Sequence, residues 1–284
     1  MYHRKSSVKL TTGESDLALE RHALLHRAGG TRYREARVGE ILFTLLEVNE
    51  EGAAALGRPA GRYLSLHFPA PPLWLPDSRA ALREALLASL LYFFPTPPCR
   101  LLVAGVGNRR LTADSLGPLT AEGVEATAVL PPGVRHALSV SATAVGVCVP
   151  DVFAATGIES TATVSAAKDS FLADALLVFD ALAARESERL LTTIEICDSG
   201  TVPGSGVKNS RHALSPASLH IPVVAVGVPC VMRARGGLFV VPRSLEAGVR
   251  ALSSLLADAT NLFFGGEPPA PSYTVEGLFR KEKL

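Results

Sequence analysis

Residues 101–118 read LLVAGVGNRRLTADSLGP, and the fold turns on how that stretch is understood. Leu101 to Val106 form a continuous apolar run, the pattern of a strand buried on both faces. The run ends in Gly105-Val106-Gly107-Asn108, and an aspartate, Asp114, follows within the loop. Two readings compete: a glycine loop around a phosphate, or a turn that carries a carboxylate to a cleft. The third glycine of the dinucleotide fingerprint is missing, and Arg109-Arg110 stands where a tight helix start is expected. No acidic ribose ligand follows a second strand at the usual distance. The glycines are therefore read as turning the chain, with Asp114 as the group the loop presents.

Downstream, the pattern alternates. SLGPLTAEGVEAT contains a helix, STATVSAAKDSFLA is helical, and ALLVFDALA, TTIEICDSG and IPVVAVGVP read as strands. SLEAGVRALSSLLADATNLFF closes the chain as an amphipathic helix. Upstream, DSRAALREALLASLLYFF is a helix with Asp77 or Ser78 at its N-cap and Pro95 as terminator. EILFTLLEVNEEG and GRYLSLHFP read as two strands, and ESDLALERHALLHRA as a helix stopped by Gly29-Gly30. Apolar strands alternating with helices predict an α/β fold with a mostly parallel sheet, helices on both faces and added N-terminal strands. The division expected is a polar arm over 1–16 and a single domain over 17–284. Within that domain, 17–76 holds the N-terminal helix and strands and 77–284 the core.

The totals fit that reading. The chain has 284 residues, of which 48% are apolar, enough for a sizeable core. Lys plus Arg number 28 against 27 Asp plus Glu, a balance that gives no electrostatic footprint for nucleic acid or an anionic membrane. The first residues lack the apolar centre of a signal peptide, and no apolar run reaches membrane-spanning length, so a cytoplasmic protein is expected. The four cysteines, Cys99, Cys148, Cys197 and Cys230, lack metal-ligand spacing and are expected to be reduced and inert. His22 and His26 are four apart on a helix but have no acidic or cysteine partner, so they are expected to face solvent. No cofactor and no metal are expected.

In an open α/β sheet, chemistry collects beyond the carboxyl ends of the strands. Three carboxylates fall there: Asp114 after the first core strand, Asp180 closing LLVFD, and Asp198 closing TTIEICD. Two aspartates sharing a cleft can hydrolyse a peptide. Like charges in close proximity do not both ionise easily, so one keeps its proton. The ionised partner takes a proton from water while the protonated one polarises the carbonyl.

Several motifs converge on one family. VAGVGNRRLTADSLGP (103–118), ATGIESTATVSA (155–166), the run from Leu176 to Ser215 and IPVVAVGVP (221–229) resemble the germination proteases of spore-forming bacteria. SDLALE (15–20) and EEGAAALGRPAGRYLSLHF (50–68) resemble two further blocks of the same family. The resemblance implies an aspartic-type endopeptidase with a fold like that of the hydrogenase maturation proteases. It implies cleavage of small acid-soluble spore proteins in the spore core at germination, a zymogen that loses an N-terminal pro-segment, and a homotetramer. By motif position the catalytic carboxylates fall on Asp114 and Asp180, and the pro-segment junction falls between Asp16 and Leu17.

Other residues are candidates for support. Asn108 either aims its amide at an oxyanion or tolerates an unusual turn angle. Asp198 is either a third carboxylate of the site or, on the better reading, an organiser of its Asp-Ser-Gly turn. Arg185 follows Asp180 on an apparent helix with Glu186, Glu188 and Arg189, and either orients that neighbourhood or makes exposed ion pairs. Gly204, Gly206, Lys208 and Arg211 lie in a loop suited to an acidic substrate, where the basic pair is otherwise merely solvated. Segments 125–155 and 229–237 depart from the family pattern. They keep open a non-catalytic reading, a spore-protein binder on the same fold.

Overall fold

The computed structural model describes residues 15–25, 29–69, 76–137, 143–204, 213–234, 238–266 and 270–280. Their strands are β1 (Thr31–Val38), β2 (Ile41–Val48), β3 (Gly61–His67), β4 (Arg100–Gly105), β5 (Ala144–Cys148), β6 (Ala175–Ala184), β7 (Thr193–Cys197), β8 (Val223–Arg233) and β9 (Phe239–Val240). All join one sheet in the order β1-β2-β3-β7-β8-β6-β4-β5, with β9 paired to β8. The helices are α1 (Ala18–Leu24), α2 (Glu50–Leu56), α3 (Pro76–Phe93), α4 (Leu116–Glu122), α5 (Pro132–Ala137), α6 (Phe153–Thr156), α7 (Ser160–Phe171), α8 (Pro216–Leu219), α9 (Leu245–Phe264) and α10 (Val275–Arg280).

The chain adopts the α/β class, with helices on both faces and β1 to β3 as the N-terminal addition. The sheet is mixed rather than mostly parallel. β5, β4, β6 and β8 run parallel, whereas β1, β2, β3 and β7 pair antiparallel, as do β7 with β8 and β8 with β9. The physical reason lies in the connection from β6 to β7. A parallel return needs a crossover of roughly a dozen residues or more. Arg185 to Thr192 carries only a 3-10 turn at Ser187–Arg189, so β7 runs back the other way. That turn also replaces the helix expected around Arg185 and Glu188.

Residue spacing explains the layers. Leu101 and Val103 of β4 alternate with Leu102 and Ala104, so the strand buries side chains on both faces. Leu101, Val103, Leu177, Phe179 and Val226 meet Leu86 of α3 and Leu252, Leu256 and Phe263 of α9. Leu102, Ala104, Leu176, Val178 and Ala225 meet Val164 of α7, Leu56 of α2 and Leu219 of α8. Burying each large apolar side chain contributes on the order of 1.5–3 kcal/mol.

Among the elements that escaped the sequence reading are β1 and α2. β1 carries Arg32, Arg34, Glu35 and Arg37 along the sheet edge, which suits a border strand. α2 is started by Asn49, whose side chain accepts the Gly52 N–H, and stopped by Gly57 in the left-handed region (φ 61°). Contrary to expectation, His22 is buried, stacked on Tyr33 with ring centroids 5.3 Å apart, and burial lowers its pKa. His26 lies outside the described residues. Among the described residues, no helix is long and apolar enough to cross a membrane.

Candidate active site

The last residue pair between β4 and β6 is Gly105 with Phe179, which leaves Asp180 one residue past that pairing. β4 leads to β5 on one side of it and has β6 on the other, so the strand order reverses here and opens a crevice. α4 is seated against the strand ends. A Cβ on Gly117 would stand 2.3 Å from the carbonyl oxygen of Val106 and 2.4 Å from that of Phe179. Gly107 has φ +121° and sits so near the Asp114 carbonyl that a Cβ would lie 2.2 Å from it. The opening glycines therefore fold the loop flat, and the 3-10 turn Thr112–Asp114 delivers Asp114 to the crevice.

Asp114 and Asp180 line one cavity of about 540 Å³. Asp114 Oδ2 accepts the Asn108 N–H at 2.8 Å. Asp180 is only 5% exposed, and its Oδ2 accepts the Thr201 hydroxyl at 3.0 Å. Burial first, and the charge of Asp114 second, raise the Asp180 carboxyl well above the usual aspartate value. The Thr201 hydroxyl and the Ala181 N–H pull the other way. The cavity walls are otherwise largely apolar, with Leu111, Val152, Leu182, Val231, Phe239 and Val241.

A third carboxylate enters from the N-terminus. Asp16 lines the same cavity; its N–H donates to the Ala183 carbonyl at 2.9 Å, and its Oδ2 accepts the Ala183 N–H at 2.8 Å. Its charge pushes Asp180 up further. Leu17 is fully buried with Ala184, Leu190 and Met232. Buried Glu20 accepts the N–H groups of Arg185 (2.7 Å) and Glu186 (2.9 Å) and the Ser15 hydroxyl. Glu195 of β7 accepts the Ala18 N–H at 2.9 Å and faces Arg58 at 3.3 Å. Burial pushes Glu195 up to about 7 against the opposing pull of Arg58.

The structure brings Asp16, Asn108, Asp114, Asp180 and Gly204 around the cavity. Asp198 is placed elsewhere. Its Oδ1 accepts the Arg62 N–H and its Oδ2 meets Arg62 Nε, both at 2.7 Å, so it ties β7 to β3. Arg185 is recorded at this site through its backbone, on Glu20. Asn108 Oδ1 accepts the Arg110 N–H at 2.9 Å, which is turn chemistry, and its own N–H serves Asp114. Gly206, Lys208 and Arg211 lie outside the described residues. Cys197 and Cys230 are buried and burial raises both thiols, which disfavours a thiolate nucleophile, whereas Cys99 is exposed. Thr201 and the Glu195–Arg58 pair were missed. A glutamate inside the apolar run TTIEIC was the available signal, since an unpaired charge there would be costly.

The germination protease family profile matches residues 14–237. Aligned segments are 32% identical to the germination protease of Priestia megaterium over 79% of this chain and 63% of that protein. For Clostridium perfringens the figures are 33%, 78% and 70%, and for Bacillus licheniformis 36%, 77% and 61%. The alignments to the Priestia and Bacillus licheniformis proteins thus cover less than two thirds of those relatives' length.

Proposed function

This chain belongs to the germination protease family, and on that premise we propose that it is an aspartic-type endopeptidase acting on small acid-soluble spore proteins in the spore core. The observation that carries the reading is the meeting of Asp114 and Asp180 in one apolar-walled cavity. Asp180, the more buried acid, keeps its proton and donates a hydrogen bond to the scissile carbonyl. Asp114, half-buried and held by the Asn108 N–H, takes a proton from the attacking water. The proton on Asp180 then serves the departing amine as the tetrahedral intermediate collapses. Asp16 occupies the cavity and Leu17 is anchored beside it, which supports a zymogen whose pro-segment ends at Asp16.

The test is incubation of the protein, trimmed to Leu17, with a small acid-soluble spore protein. Discrete fragments are expected, and Asp114→Asn or Asp180→Asn should lower turnover by about 10²–10⁴-fold with an unchanged circular dichroism spectrum. Tight binding without cleavage would instead establish the non-catalytic binder.

A further inference from the structure

β4 stops opposite Phe179, but β6 runs on to Ala184 with β8 on its far side. From Asp180 onward, the side of β6 that faced β4 borders the cavity. Backbone N–H and C=O groups in a strand point alternately to the two sides, so Ala183 presents both of its groups to that vacated side. Both are taken by a single residue, Asp16. Ala183 is 4% exposed. Buried backbone groups are almost always hydrogen-bonded, and an orphaned one is costly. Loss of residues 1–16 removes both partners together, three positions along the strand from Asp180.

We propose that the β6 extension from Ala181 to Ala184 is the strand on which the peptide substrate is laid, with the Ala183 N–H and C=O as its backbone anchors, and that Asp16 holds this place in the full chain. The inference rests on the peptidase reading of the cavity. Backbone pairing of this kind supplies affinity and aligns an extended segment without regard to its side chains. It also sets the peptide parallel to the line from Ala183 to Asp180, so the register of the anchors fixes which bond reaches the acids.

The experiment follows amide hydrogen exchange at Ala183, resolved by electron-transfer fragmentation. The full chain carrying Asp180→Asn is folded first and then cut to Leu17 by an exogenous protease. Exchange at Ala183 should rise by about tenfold or more after trimming and be suppressed again by saturating small acid-soluble spore protein. The amidated hexapeptide copying residues 11–16 should suppress it as well, and the same peptide with its last residue N-methylated should not. Cleavage by the trimmed chain with Asp180 intact is measured in parallel. Cleavage without suppression of exchange at Ala183 would overturn the anchor and leave the peptidase reading standing. Neither cleavage nor suppression would overturn both.

Discussion

Asp180 is costly to ionise where it stands. Its folded pKa lies above the ordinary 3.8, so the folded state binds the extra proton between the two values. The sign follows: the stability Asp180 contributes is fully present in acid and is lost as pH rises through the folded value. Asp180→Asn should therefore be more stable than the parent at neutral pH and show a flatter dependence, as read by urea unfolding at a series of pH values. Parallel curves for the two proteins would contradict this. Glu195 has the same sign, with its window between 4.5 and about 7. Within that window its contribution should fall by up to about 1.4 kcal/mol per pH unit, and Glu195→Gln should abolish that slope. That Asp114 and Asp180 line one cavity was foreshadowed by their places in family-like motifs, Asp180 closing LLVFD and Asp114 in the loop after LLVAGV. Thr201 was not, because nothing in DSGT singles out a hydroxyl that will reach back to Asp180.

At the scale of elements, the seat of α4 is the critical contact. Gly117→Ala puts a methyl against two backbone carbonyls, neither of which can rotate away. It should destabilise by about 3 kcal/mol and separate Asp114 from Asp180, seen as loss of turnover in the fraction that remains folded. A fully active, equally stable variant would show that α4 is not so tightly seated. β4, β6, β8, α3 and α9 were legible because continuous Val/Leu/Ile runs and 3.6-residue periodicity are properties of the segment alone. The direction of β7 was not. A strand buried on both faces reads the same whichever way it runs, and only the short connection from Arg185 to Thr192 decides it.

Across the whole molecule, the N-terminal segment closes on groups more than 160 positions away: Asp16 on Ala183, Glu20 on Arg185, and Ala18 on Glu195. No local pattern encodes such pairings, so the resemblance that implies a junction between Asp16 and Leu17 gave no sign that Asp16 lines the cavity. Leu17→Ala should destabilise by about 2–4 kcal/mol through the cavity it leaves, and should hasten proteolysis between residues 15 and 25. The homotetramer proposed from the family resemblance should sediment at about four times the 29.9 kDa chain mass, and a purely monomeric species would rule it out. Whether the fold makes two remote acids one titrating unit is decided by carbon-13 NMR of the Asp180 carboxyl in the parent and in Asp114→Asn. The midpoint should lie well above 3.8 in the parent and fall in the variant. An ordinary midpoint, or one that ignores the loss of Asp114, would contradict the paired-acid site.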